Sequence, residues 1–213
     1  ESLKKAGEEI RNLILSAQLP QSLNAEIEKA YQELCELYEE NTDVAVRSSA
    51  TAEDLPGASF AGEQETFLNV SGLENLLISV KKCIASLFTD RAISYRKDKG
   101  FSNTKVYLSV GVQKMARSDL ASSGVAFTID TETGFDKVVI INSSYGLGEM
   151  IVQGKVTPDE FVVFKPSLEK GQKAIISKKL GEKNKKMIYS EGGSIEEADV
   201  SGEDKNSYSL SDE

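Results

Sequence analysis

From Val44 to Phe67 the chain reads VAVRSSATAEDLPGASFAGEQETF. This one segment holds Arg47, the hydroxyls of Ser48, Ser49, Thr51, Ser59 and Thr66, two glycines and four carboxylates. An arginine offers a rigid fork of donors, and neighbouring hydroxyls and backbone N–H groups extend it into the kind of donor set that surrounds a chain of phosphates. Gly57 and Gly62 would let the backbone approach a ligand, and Thr66 would add a hydroxyl. A solvated arginine beside ordinary turn residues uses the same letters, so the segment permits a phosphate-binding loop without requiring one. It fits neither GxxxxGK[ST] nor GxGxxG, which leaves a P-loop and a dinucleotide-binding fingerprint unsupported.

Three further places could do chemistry. Gln113, beside Lys114 and Met115 at the end of an apolar alternation, has an amide suited to the edge of an adenine; a half-exposed glutamine is the plainer reading. In SYGLGEM two glycines precede Glu149 at an expected switch from strand to helix, where a carboxylate could accept from a ribose hydroxyl, bind Mg²⁺ or simply serve as a helix N-cap. Thr133 and Gly134 occupy the expected tip of a hairpin and could cover a phosphate, though a turn needs the same residues. Lys178, Lys179, Lys183, Lys185 and Lys186 read as a solvated face or hairpin.

The elements that must position these residues follow from periodicity. Leu3, Ala6, Ile10, Leu13, Ile14 and Ala17 recur at helical spacing up to Pro20, and Ile27, Ala30, Tyr31, Leu34, Leu37 and Tyr38 repeat the pattern. Ser71 with Glu74 matches a capping box before a third helix, and Asp90 is placed to cap a fourth running to Gly100. The period then shortens: Val106, Leu108, Val110 and Val112 alternate with Tyr107, Ser109, Gly111 and Gln113, as in a half-buried strand. GVAFTID, KVVIIN and EFVVFK read as further strands, the first two joined through TETGFD, with a short helix at GEMIVQG. VAV reads as a strand ending before Arg47, whose parity sets it opposite Val44 and Val46.

The expected class is therefore α+β, helical in the first half and largely antiparallel sheet in the second. Residues 1–180 read as the main domain, open to division into lobes near 100, and 181–213 as a polar hairpin or linker.

Composition removes several classes. The 213 residues carry a net charge of −9, which argues against nucleic-acid or anionic-membrane surfaces. There is no histidine, so a Ser-His-Asp triad, a His-ligated metal and a phosphohistidine formed on this chain are excluded. Cys35 and Cys83 stand far apart without a CxxC spacing and read as reduced, buried thiols. With neither a long apolar run nor a signal-peptide pattern, the expected location is the cytoplasm.

The quoted stretch strongly resembles the ATP-binding domain of the phosphoenolpyruvate synthase (pyruvate, water dikinase) family. SLFTDRAISYR, VGVQKM, SSGVAFTIDTETGFDKVV, GLGEMIVQGKVTPDEF and YSLSDE resemble successive blocks of that domain, in order, across about residues 44 to 213. Rifamycin phosphotransferases share the RSSATAEDLP block, but DRAISYR and VQGKVTPDEF are more similar to the synthase. A non-catalytic nucleotide-binding module is a third alternative.

The resemblance implies an ATP-grasp-like fold with ATP and Mg²⁺ as cofactors. It implies transfer of phosphoryl to a histidine on a swivelling domain and then to pyruvate in a barrel domain, giving phosphoenolpyruvate, AMP and phosphate. By motif position it places Arg47 as catalytic phosphate clamp, with Gly62, Thr66 and Gln113 binding ATP and weaker roles for Thr133, Gly134 and Glu149. It leaves the metal ligands unassigned. The chain would then be an internal piece of the kinase half, with ATP-contacting segments expected before Glu1 and after Glu213, and a homodimer is a reasonable expectation for such a piece.

Overall fold

The computed structural model describes residues 2–50, 54–55, 58–59, 65–100, 106–190 and 194–212. The chain divides into two units, Glu1–Met115 and Ala116–Glu213. In order, the first contains α1 (Ser2–Ser16), α2 (Gln21–Leu37), β1 (Val44–Ala50), β2 (Asp54–Leu55), β3 (Ala58–Ser59), β4 (Thr66–Val70), α3 (Leu73–Ser86), α4 (Asp90–Asp98) and β5 (Leu108–Lys114). The second contains β6 (Ser122–Phe127), β7 (Val138–Tyr145), α5 (Glu149–Val152), β8 (Asp159–Phe164), α6 (Lys165–Glu169), β9 (Ile175–Lys179), β10 (Lys185–Ser190), β11 (Ser194–Asp199) and α7 (Gly202–Lys205). Every strand pairing among the described residues is antiparallel. The mixed α and β class, helical first and sheet-rich second, is as the periodicity implies.

In the first unit the sheet order is β4-β1-β5. Val44 and Val46 are wholly buried and pack with Val70, Leu76, Val80, Cys83 and Tyr31, so α2 and α3 cover one face of the sheet. Fully burying an aliphatic side chain of this size contributes about 1.5–3 kcal/mol. Tyr31 ties the layers together, its hydroxyl donating to the Thr42 carbonyl at 2.9 Å and accepting from the Gly72 N–H at 2.9 Å.

A bulge shapes β4. Val44 pairs with Val70 but Val46 pairs with Phe67, so Leu68 and Asn69 together oppose Ala45. Asn69 takes a left-handed φ of 56°, a conformation asparagine tolerates better than most residues. The extra residue lets Phe67 and Val70, three apart, both join the core cluster, which a regular strand of period two would forbid.

The helix caps differ from the sequence expectation. Ser71 does not cap α3: its Oγ donates to the Asn41 carbonyl at 2.6 Å, and the cap position belongs to Gly72 with φ 82°. Thr89, not Asp90, caps α4 by accepting from the Ala92 N–H at 3.2 Å. Asp90 instead opens that helix, where its charge suits the helix dipole, and faces Arg11 at 3.7 Å.

In the second unit β6-β7-β8-β9 form one sheet and β10-β11 a separate hairpin. The face carrying Ser143, Asp159 and Phe161 is crossed by the chain around Ser209. Ser209 donates to Asp159 Oδ2 through both its N–H and its hydroxyl, each at 2.7 Å, and Tyr208 packs on Phe161 with ring centroids 5.5 Å apart. Lys183 reaches the same carboxylate, 2.5 Å from Asp159 Oδ1, and is wholly buried. The expectation of a solvated lysine cluster is therefore wrong at this position. The partner that draws Lys183 inward is 24 residues away, beyond the reach of local pattern.

Candidate functional site

Register decides which side chains can act together. Across β1 and β5, Ala45 pairs with Gln113, Arg47 with Gly111 and Ser49 with Ser109; across β1 and β4, Arg47 pairs with Thr66. Directly paired residues point to the same face of a sheet, as do residues two apart along a strand. Arg47, Thr66 and Gln113 therefore share one face, opposite the buried face of Val44 and Val46. All three are exposed, and no hydrogen bond or ion pair reaches any of their side chains among the described residues.

Arg47 does not lie beyond the strand end, as the sequence reading had it. β1 runs on through RSSA to Ala50, with β5 opposite every residue from Val44 to Ala50. The segment lacks the apolar alternation that signals a strand, yet β5 along its length and β4 up to Arg47 satisfy its backbone hydrogen bonds. Being mid-strand places Arg47 on rigid backbone between two neighbours. The hydroxyls of the segment divide by parity. Ser49 joins Arg47, whereas Ser48 lies on the other face and its Oγ contacts the Glu65 carbonyl at 3.5 Å. Ser109 donates to the Ser49 carbonyl at 3.3 Å.

Gly62 lies outside the described residues. Lys114, next to Gln113, is held on the other face by Asp43 at 2.8 Å and Glu39 at 3.7 Å. That pairing takes its charge away from the Arg47 face.

Thr133, Gly134 and Glu149 belong to the second unit. Thr133 and Gly134 sit in the turn between β6 and β7, where Asp130 organises the loop. The Asp130 carboxylate accepts from Thr133 Oγ1 at 2.7 Å and from the Glu132 N–H at 2.9 Å, which holds its carboxyl below the usual range. Gly134 has φ 76° and donates its N–H to the Asp130 carbonyl at 2.8 Å. This is the hydrogen-bonding of a self-contained turn. The short helix α5 forms as expected, but Gly148 holds its cap position; Glu149 is its first residue, accepting from Gln153 Nε2 at 2.6 Å. The turn and Glu149 flank opposite ends of β7, roughly 25 Å apart at the rise of an extended strand, so they do not form one site.

An apolar cavity of about 390 Å³, lined by Ile141, Phe161, Val163, Leu168, Ala174 and Leu210, contains none of the expected site residues. Among the described residues no three His, Cys, Asp or Glu side chains gather as a metal site.

The architecture defines a mixed α and β domain whose first sheet is packed with helices on one side and presents a cation, a hydroxyl and an amide on the other. The chain belongs to the pyruvate phosphate dikinase AMP/ATP-binding domain family, whose model matches residues 1–213. It is 56% identical over its whole length to a phosphoenolpyruvate synthase of Aquifex aeolicus (strain VF5), covering 25% of that protein. It is 55% identical to one from Deinococcus radiodurans, covering 27%, and 52% identical to one from Escherichia coli (strain K12), again covering 27%. The chain thus spans about a quarter of the length of these curated relatives.

Proposed function

We propose that the open face of β4-β1-β5 grips ATP, in an ATP-grasp-like manner, within a phosphoenolpyruvate synthase. The shared exposed face of Arg47, Thr66 and Gln113 carries this reading, because it sets a phosphate donor, a hydroxyl and an adenine-edge amide along one rigid surface. Family membership and the relatives' names support it. Phosphoryl transfer asks little covalent work of a protein. Arg47 offsets charge on the phosphate oxygens while Thr66 and the Gly62 segment orient them, and Gln113 fixes the base.

The chain has no histidine. The phosphoryl acceptor therefore lies on another part of the parent protein, a swivelling domain that delivers it to pyruvate in a barrel domain. Mg²⁺ suits this chemistry as a companion of the triphosphate, since in such sites it keeps several waters and is held by substrate phosphates with one or two carboxylates. Since the described residues form no carboxylate cluster, no step is assigned to a protein-held metal. Thr133, Gly134 and Glu149, in the second unit, keep only the weaker ATP role that the family resemblance implies. A cytoplasmic address and a homodimer complete it; among the described residues no helix is long and apolar enough to cross a membrane.

Calorimetric titration with ATP tests the grip. In the full-length parent protein the wild type is expected to bind, Arg47→Ala to weaken binding by about tenfold or more, and Arg47→Lys to recover only part because it keeps the charge but loses the fork. Equal affinity in wild type and Arg47→Ala would remove Arg47 from the site. Pyruvate-dependent formation of AMP by the parent protein tests the reaction.

A further inference from the structure

Two glycines stand inside strands among the described residues, Gly111 in β5 and Gly124 in β6. Packing accounts for Gly124, where a Cβ would lie 2.0 Å from the carbonyl oxygen of Asn142 on the neighbouring strand. Gly111 has no such reason. A Cβ there meets, among the described residues, only the Arg47 carbonyl oxygen at 3.8 Å, an ordinary contact. Backbone conformation does not demand glycine either, for Gly111 is absent from the residues with positive φ. A glycine within a strand costs about 0.5–1 kcal/mol relative to alanine, so the fold loses stability here and gains nothing in packing.

What Gly111 does provide is an empty place. It pairs directly with Arg47 and stands two residues from Gln113 on the same face. The two side chains therefore flank a bare stretch of β5, with about 7 Å along the strand between Gly111 and Gln113. Glycine in a strand interior often marks close approach of a ligand to the backbone.

We propose that Gly111 shapes the nucleotide site by leaving a clearing in which the sugar of an adenine nucleotide lies against β5, its base at Gln113 and its phosphates at Arg47. The proposal rests on the ATP-binding reading of this face and adds to it the residue that admits the sugar.

The test separates the sugar from the phosphates. Gly111→Val introduces a β-branched residue that strands favour, so its melting temperature is expected to equal or exceed that of the wild type. Titrated calorimetrically, it is expected to bind ATP about tenfold or more weakly, yet to hold inorganic tripolyphosphate, which has no sugar, within about twofold of wild type. Arg47→Ala is expected to weaken both ligands. If the valine variant melts lower, Gly111→Ala decides the matter by a smaller loss of ATP affinity at unchanged melting temperature. Wild-type ATP affinity in a stably folded Gly111→Val overturns the clearing, as does an equal loss of both ligands, while the Arg47 variants still report on the grip. A full-length wild-type parent protein that binds neither ligand overturns the ATP reading and the clearing with it.

Discussion

Lys183 Nζ sits 2.5 Å from Asp159 Oδ1, and neither side chain has any exposed surface. Desolvating two charges is costly, and this pair is tolerable because the remaining acceptor capacity of Asp159 is filled by the Gly181 N–H at 2.9 Å and by Ser209. The carboxylate thereby joins two separated stretches of the chain, Gly181–Lys183 and Ser209, to the start of β8.

Removing one partner of such a pair strands the other. Lys183→Met is expected to lower stability by about 3–5 kcal/mol in urea denaturation. Adding Asp159→Asn, which removes the stranded charge and keeps an acceptor for Ser209 or Gly181, is expected to recover part of the loss. A double variant no more stable than Lys183→Met would show that the hydrogen bonds of the carboxylate, not the charge balance, govern the site.

The same carboxylate makes stability depend on acid. Burial alone would raise the Asp159 pKa, but hydrogen bonds from Gly181, Lys183 and Ser209 outweigh it and hold the group below its ordinary 3.8. A depressed folded value means the stabilisation is complete above the unfolded pKa and disappears as pH falls through the folded one. The urea midpoint should drop steeply below about pH 4, and that drop should be shallower in Asp159→Asn. Parallel curves for the two proteins would assign the acid loss to other carboxylates.

Cys83 behaves in the opposite sense. Burial, with a smaller contribution from Glu65, pushes its thiol from 9.0 up to about 11. Its stabilisation is whole below the ordinary thiol value and is lost as pH climbs from 9.0 toward about 11. In a Cys35→Ser background, a thiol-specific disulfide reagent at pH 8 is expected to label nothing until the protein is unfolded, since only the thiolate attacks. Prompt labelling of the folded variant would contradict the buried position.

The bulge in β4 depends on Asn69 at φ 56°. Asn69→Val forces a β-branched residue into left-handed backbone and is expected to cost about 1–2 kcal/mol from conformation alone. Asn69→Gly accepts that backbone and is expected to lose less by thermal or urea unfolding. Equal losses would mean that the asparagine side chain, not its conformation, sustains the bulge.

Much of this molecule is written in local pattern. The 3.6-residue spacing of Leu3 to Ala17 and Ile27 to Leu37, the alternation from Leu108 to Val112, the turn around Thr133 and Gly134 and the strand-to-helix switch before Glu149 are each carried by residues within a few positions of one another. Parity alone set Arg47 opposite Val44 and Val46, because side chains alternate wherever a strand continues. What parity could not show is that the strand does continue: the polar RSSA becomes β1 only because β5 pairs along all of it, with β4 on the other side as far as Arg47.

Distance explains the remaining differences. Lys183 looks like its surface neighbours until Asp159 draws it inside, and Ser71 looks like a cap until the Asn41 carbonyl takes its hydroxyl. Gly111 looks like any polar-face position until register sets it against Arg47. The sequence by itself determined where the strongly periodic helices and strands lie and, within them, which face each residue takes. Tertiary structure decided which faces meet, because pairing between segments tens of residues apart is settled by packing and by the satisfaction of buried polar groups, neither of which leaves a local period.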